Sequence, residues 1–279
     1  MPSATVITGL RVETLVPLEI NLSGKLALVT AASRGIGFGV ARVLARAGAD
    51  LVINARDPEA LRRAREAIRE ETGRHVEVAP GDLTRREDLE RIAAVAREMG
   101  GPHIFFFSTG GPRPGRFLDL GMEDWDYAYR LLLYPAVYLT RELLPAMIER
   151  RWGRIIYLAS LAIKEPMPNL ALSNVVRISI AGLVRTLARE VGSYGVTVNG
   201  ILPVIIHTSR VEELARDIQA REGVSYEEAL SRLSSGIPAG RLGRPEEVGY
   251  LVAFLASDYA SYINGAMIPL DGGRQVSVF

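Results

Sequence analysis

The pattern that most restricts this chain is an alternation of short apolar runs with helical stretches, repeated from residue 26 to residue 270. Leu26–Thr30 is a compact apolar strand, and a glycine-containing turn carries it into a helix over about Ile36–Ala47. Strands follow at Asp50–Asn54, His75–Ala79 and His103–Phe107, separated by helices from Pro58 to about Glu71 and over Arg85–Met99. The second half repeats the rhythm with longer helices. Asp124–Arg150 is one helix with Pro135 as its point of interruption, Gly153–Ala159 a strand, Leu172–Gly192 a helix and Val196–Ile201 a strand. Pro245–Ser257 and Ala266–Leu270 supply the last helix and strand. Strands that alternate with helices in this way lie parallel and need cover on both faces. The expected fold is therefore an α/β, Rossmann-type, doubly wound, mostly parallel sheet.

Residues 207–236 carry two short helical patterns with no strand between them, and the expectation is a helical lid, 208–235, inserted in a single domain of residues 25–275. Residues 1–24 form an expected extension with a short strand near Ala4–Leu10, and 276–279 a tail. Acids and bases nearly cancel, at a formal charge of +1, which gives no reason to expect a nucleic-acid or anionic-membrane partner. The absence of cysteine excludes disulfides, thiolate metal sites and cysteine nucleophiles. The three histidines, His75, His103 and His207, are too scattered to suggest a metal site. No run approaches the roughly 18 to 20 uncharged apolar residues of a membrane span, and the start does not read as a signal peptide, so the expected location is cytoplasmic. Of the 33 basic residues 31 are arginine and 2 lysine, and glutamine occurs only at Gln219 and Gln275. Few amides and no cysteine suit a thermostable protein, although arginine bias also follows from genome composition.

The strand-to-helix turn carries the chemistry. In Leu28-Val-Thr-Ala-Ala-Ser-Arg-Gly-Ile-Gly37, Gly35 and Gly37 lack the side chains that would keep a pyrophosphate from the N–H groups at the positive end of the helix. A second strand ends about 20 residues later, where dinucleotide sites place an acid against the ribose. Here the residues are Ile53-Asn54-Ala55-Arg56. Without the acid a 2′-phosphate is not repelled, and Arg34 and Arg56 are placed to pair with one, which favours NADP over NAD. Asp82, after the third strand, is placed to meet the adenine edge, or is only a turn residue.

Read together, these residues resemble the classical short-chain dehydrogenase/reductase family, especially its 3-oxoacyl-carrier-protein reductase and glucose dehydrogenase-like members. The resemblance spans roughly residues 22–274. Its landmarks are Thr30-(x4)-Gly35-Ile36-Gly37, Gly81-Asp82-Leu83, Gly153-Arg154-Ile155-Ile156 leading to Ser160, and Thr197-Val198-Asn199. They continue through Pro203, Thr208, Gly240-Arg241-Leu242-Gly243, Phe254-Leu255-Ala256-Ser257, Asn264-Gly265 and Asp271-Gly272-Gly273. The resemblance implies cofactor contacts from Thr30, Ser33, Arg34, Gly35, Ile36, Gly37, Arg56, Asp82, Leu83, Thr109, Gly110, Arg177, Pro203 and Thr208. It implies catalytic positions at Ser160, Ser173 and Arg177, no metal, a small-molecule substrate, and a homodimer or homotetramer built on the two long helices of the second half.

The chain departs from that family where protons move. The family's serine is matched by Ser160, but its tyrosine, thirteen residues on, is Ser173, its lysine is Arg177 and its asparagine is Leu132. The family's Asn-Asn-Ala-Gly is Phe107-Ser108-Thr109-Gly110, and the glycine after Pro203 is Val204. An aliphatic hydroxyl is a far weaker acid than tyrosine, whose pKa starts near about 10, and arginine stays protonated. Tyr157-(x6)-Lys164 imitates an enoyl-reductase spacing, but Tyr157 falls inside a strand. Tyr129, His207 and Lys164 are lesser candidates for a rearranged acid or base. Three readings stay open: an NADP-linked oxidoreductase with a non-standard proton donor, a cofactor-binding sensor or assembly protein without turnover, and non-redox chemistry such as a lyase or isomerase on the same scaffold.

Overall fold

A computed structural model of the protein describes residues 19–278. Seven strands form one sheet: β1 (Leu26–Val29), β2 (Asp50–Ile53), β3 (Val76–Val78), β4 (Ile104–Phe107), β5 (Gly153–Leu158), β6 (Val196–Pro203) and β7 (Met267–Leu270). Their order is β3-β2-β1-β4-β5-β6-β7, and every pairing is parallel. The chain leaves β1 toward one edge and returns at β4 to build toward the other. The two neighbouring crossovers diverge there, which opens a crevice at the carboxyl ends of β1 and β4.

Parallel strands need both faces covered, and successive residues of β1 divide between two cores. Ala27 and Val29 join a cluster with Val40, Leu44, Leu61, Ile68, Val248 and Val252. These come from α1 (Gly35–Arg46), α2 (Pro58–Thr72) and α10 (Pro245–Ala256). Leu26 and Leu28 join the opposite cluster with Leu89, Ile92, Leu139, Leu143, Ile180 and Val184, from α3 (Arg86–Glu98), α5 (Tyr134–Glu149) and α7 (Ile178–Val191). α1 and α10 approach as closely as two glycines allow: a Cβ on Gly39 would stand 2.9 Å from the Pro245 carbonyl carbon, and one on Gly249 would stand 3.1 Å from Gly39 O and 2.7 Å from Val43 Cγ2.

Several expectations change. Leu22, inside the expected N-terminal extension, is buried in the first core, and its N–H donates to Ala47 O at 2.6 Å. The expected strand near Ala4–Leu10, and Phe279, lie outside the described residues. The helix expected over 124–150 is two, α4 (Met122–Leu132) and α5, parted at Leu133. Pro135 sits in the first turn of α5, where its missing N–H has no partner to lose. The helix expected over 172–192 is likewise α6 (Ala171–Val176) and α7, with Arg177 at the break. By length and apolar composition the stretches Met122–Glu149 and Ala171–Tyr194 match a membrane span, which the residue pattern did not suggest. Both are walls of the sheet, and the second is the less covered. The segment expected to form a lid holds α8 (Ser209–Glu222) and α9 (Tyr226–Ser234), whose only buried residues are Ala215 and Ala229.

Candidate active site

The first turn is held by backbone rather than by side chains reaching outward. Thr30 is fully buried, its Oγ1 donates to Ser108 O at 2.7 Å, and the Ser108 N–H donates back at 2.8 Å. A residue expected to touch the cofactor therefore clamps β1 to β4 instead. Ala31, where the family has glycine, adopts φ 51°, a left-handed conformation that costs a side-chain-bearing residue about 1–2 kcal/mol. Gly37 is required by space: a Cβ there would stand 2.8 Å from the Ala31 carbonyl carbon and 3.0 Å from Thr30 O. Arg34, at the N-cap of α1, gives no side-chain cap, and the first turn of the helix has no acid. The leading N–H groups of a twelve-residue helix thus face the crevice without intrahelical partners, which suits a phosphate. Thr208 closes over this turn, its Cγ2 standing 3.3 Å from where a Cβ on Gly35 would be.

The crevice is a cleft of about 680 Å³ whose walls come from the loops after β1, β2, β3 and β4. Six expected cofactor residues line it or its rim: Ser33, Arg34, Arg56, Asp82, Leu83 and Gly110. At the far end Arg34 and Arg56 are joined by Arg63, from α2, and all three are exposed. Asn54, in the stretch that carries no ribose acid, turns inward, its Nδ2 donating to Ala79 O and Gly81 O at 2.9 and 3.1 Å. Reversing the amide would set its oxygen against those two carbonyls, so the orientation is fixed by chemistry. Its Oδ1 is then a buried acceptor with no partner. Asp82 makes an Asx turn with Thr84 and stands 4.0 Å from Arg56, so half of its carboxylate faces the turn rather than the cleft. The uncapped helix start, the space at Gly37, the orphaned acceptor and three cations against two acids that are already engaged, Asp57 as the cap of α2 and Asp82 in its turn, fit a dinucleotide that carries an extra phosphate.

At the other end the structure brings three expected residues together. Arg177 Nε donates to Ser173 Oγ at 3.1 Å, and Arg177 Nη2 reaches toward Gly110 O at 3.5 Å. Burial pushes the Arg177 guanidinium down to about 10, which still leaves it charged at neutral pH. Ser160 follows β5 and caps the turn Leu161–Ile163, which packs against α6; its Oγ accepts from the Ala162 N–H at 3.1 Å. That leaves the hydroxyl hydrogens of Ser160 and Ser173 available to a ligand oxygen. Thr109 Oγ1 donates to Gly110 O at 2.7 Å, and Pro203 is buried in β6 beside Leu270, so neither presents a side chain to the cleft wall. Ile36 packs on the first core. Leu132 is buried, so the family's polar position is lost to packing.

The alternative proton donors are placed elsewhere. Tyr157 is fully buried between Phe105 and Phe107, and its hydroxyl pairs with Thr140 Oγ1 at 2.6 Å; burial raises it above the ordinary tyrosine value. Tyr129 packs on Tyr134 with ring centroids 6.1 Å apart. His207 lines a separate open cleft between the lid and α10 with Glu227 and Arg241, and Lys164 follows the turn after Ser160. Sequence reasoning missed Arg63, Tyr127 and Leu131 as cleft residues. The last two share a helix face at a spacing of four, a signal equally compatible with core or interface.

Comparison with known proteins agrees with this architecture. The family model described as Enoyl-(Acyl carrier protein) reductase matches residues 30–275. Oxidoreductase UcpA of Salmonella typhimurium is 35% identical over 258 residues, which are 91% of this chain and 95% of that protein. L-sorbose reductase from Gluconobacter frateurii, solved with NADPH and L-sorbose, superposes with a TM-score of 0.91 at 29% identity, over 94% of this chain and all of that one. An NADPH-bound short chain oxidoreductase from Pseudomonas aeruginosa PAO1, described as containing an atypical catalytic center, superposes at 0.84 with 29% identity, over 92% and 99%. With the sheet order, the glycine turn and these matches together, the chain belongs to the classical short-chain dehydrogenase/reductase family.

Proposed function

We propose that the cleft binds NADP(H) and that the chain is an oxidoreductase acting between a carbonyl and a secondary alcohol without the family's tyrosine. The observation that carries the cofactor choice is the far end of the cleft, lined by Arg34, Arg56 and Arg63, where the stretch after β2 offers no ribose acid and Asn54 turns its amide inward. The bound dinucleotide supplies or accepts the hydride. Ser160 and Ser173 each keep a hydroxyl hydrogen that can be donated to the substrate oxygen, stabilising charge that grows there as the carbonyl is reduced. Arg177 holds Ser173 in place and adds a fixed positive charge. Burial lowers the Arg177 value but leaves the group charged at neutral pH, so it positions and polarises rather than relays. The proton that completes the alcohol comes from water admitted to the cleft.

Small-molecule turnover, a cytoplasmic location and a homodimer or homotetramer complete the reading. Val175 and Ile178, more than half exposed on α6 and α7, support the pairing of those helices with a second copy. A second reading, NADP binding without turnover, is favoured by one observation: the positions that match the family's asparagine, tyrosine and lysine hold Leu132, Ser173 and Arg177, none of which titrates like a tyrosine. NADPH oxidation measured against ketones, 3-oxoacyl thioesters, sugars and quinones separates the two. Turnover above that of the Ser160→Ala variant supports the first reading. Tight NADPH binding with no turnover favours the second, and no dinucleotide affinity refutes both.

A further inference from the structure

Two guanidinium groups, from different elements, reach the same short piece of cleft wall. Arg177, half-buried at the α6–α7 break, brings Nη2 to 3.5 Å from Gly110 O. Arg210, the second residue of the lid helix α8, brings Nη1 to 3.3 Å from the point where a Cβ on Gly111 would stand. Gly110 and Gly111 both line the cleft, and neither carries a side chain that would fill the space between the two cations. Among the described residues no carboxylate lies within 4.0 Å of either guanidinium. The nearby entrance loop shows the contrast: Arg113 is held by both oxygens of Asp124, each at 2.7 Å.

A guanidinium withdrawn from water against only neutral partners leaves its charge uncompensated, and an anion restores that balance. Arg177 has five N–H groups, of which one meets Ser173 and one faces Gly110 at long range. From these placements we infer that the substrate end of the cleft recognises a carboxylate-bearing carbonyl compound, an oxo acid or its hydroxy acid, with Arg177 and Arg210 as the two cationic contacts. The inference rests on the cofactor reading above only in the choice of a carbonyl. The planar fork of arginine matches a carboxylate bidentately, which a lysine at position 177 would not. Arg210 gives the lid a role in the same recognition: α8 is anchored by the single buried Ala215, so an anion that engages Arg210 draws the lid down over the substrate.

The test uses a complex that cannot react. The protein is saturated with NADP+, and acetoacetate, pyruvate and 2-oxoglutarate are titrated by calorimetry beside their neutral methyl esters; an oxidised cofactor and a ketone exchange no hydride. The expected result is that at least one acid binds about tenfold or more tightly than its ester, and that Arg210→Gln reduces the ratio severalfold while NADP+ affinity stays unchanged. Arg177→Gln should bring the ratio to about one, and Arg177→Lys should recover part of it. Should Arg177→Gln fail to fold, exposed Arg210 still decides the question. Equal affinity for acids and esters, no binding of any acid, or an acid preference that survives both glutamine variants overturns the inference. Loss of NADP+ binding by the wild type would instead strike the cofactor reading, and the same titration on the cofactor-free protein would then judge the anion site by itself.

Discussion

Substituting Gly37 by alanine is the most direct perturbation of the cleft, because the obstacle is backbone. The added methyl would stand 2.8 Å from the Ala31 carbonyl carbon and 3.0 Å from Thr30 O, several tenths of an ångström inside ordinary contact. Neither neighbour can yield freely. The Thr30 N–H is bonded to Phe106 O at 3.1 Å, the Ala32 N–H to Asn54 O at 2.8 Å, and the Thr30 side chain to Ser108. Relief therefore requires α1 to move away from β1, which costs about 2–3 kcal/mol as an overpacking event and carries the helix's leading N–H groups off their ligand. For a chain of this length that corresponds to a fall in Tm of about 4–10 °C, and NADPH affinity should drop at least about tenfold. Gly39→Ala is the control. Its methyl strikes Pro245 on α10, away from the turn, so it should cost comparable stability with a much smaller change in affinity. Thermal melts and NADPH fluorescence titrations on both variants decide the matter. A Gly37→Ala protein with wild-type Tm and wild-type affinity would show that the turn is not packed as described.

Replacing Arg34 and Arg56 together by serine should weaken NADPH about tenfold or more and leave NADH nearly unchanged, measured as paired dissociation constants; equal losses for both would refute recognition of the 2′-phosphate. Tyr157→Phe removes the bond to Thr140 and should cost about 1 kcal/mol in urea unfolding while kcat is preserved; a loss of activity of about a hundredfold would place the tyrosine in catalysis after all. His103 accepts from the Leu26 N–H through Nδ1, and burial beside Arg150 and Lys25 lowers it from 6.5 to about 4. Because the unfolded chain takes up the proton first, its contribution to stability is complete above about pH 6.5 and is lost as pH falls toward 4; urea midpoints across that window should decline, and His103→Gln should flatten the decline.

The sheet and the turn were legible because each rests on a local rule. Apolar runs bounded by turns become strands, and glycines at a strand-to-helix junction mark a backbone that must come close to something. The helix breaks were not. Nothing in Val176-Arg177-Ile178 signals an interruption, since neither glycine nor proline is present and the 3.6-residue pattern runs through; the break shows only in the tertiary arrangement around Arg177. Pro135 was visible as a breaker, yet the separation falls two residues earlier, because proline is tolerated in a first turn and the helix before it must end. Motif matching also misjudged direction. Thr30 and Pro203 lie at family positions but point into the fold, whereas Arg63, Tyr127 and Leu131 enter the cleft because of how α2 and α4 are rotated against the sheet, which spacing alone does not specify.

The substitutions at 132, 173 and 177 form a coherent set rather than three separate losses. Leu132 is enclosed at the end of α4, so the proton relay that an asparagine completes in the family has no polar group to supply it there. Without that supply an arginine at 177 gives up little, since its charge is fixed across the neutral range in any case. Arg177 keeps a positive charge beside position 173, but Ser173 has no phenol for that charge to bring toward neutral pH, so under the proposed function the serine only donates a hydrogen bond to a developing alkoxide. What the arginine adds is a fork of donors beside Gly110, and α8 sets Arg210 against the neighbouring Gly111. Under the proposed function such a site relies on a fixed positive field in place of a tunable acid, and a fixed field is most useful where the molecule to be held carries its own negative charge.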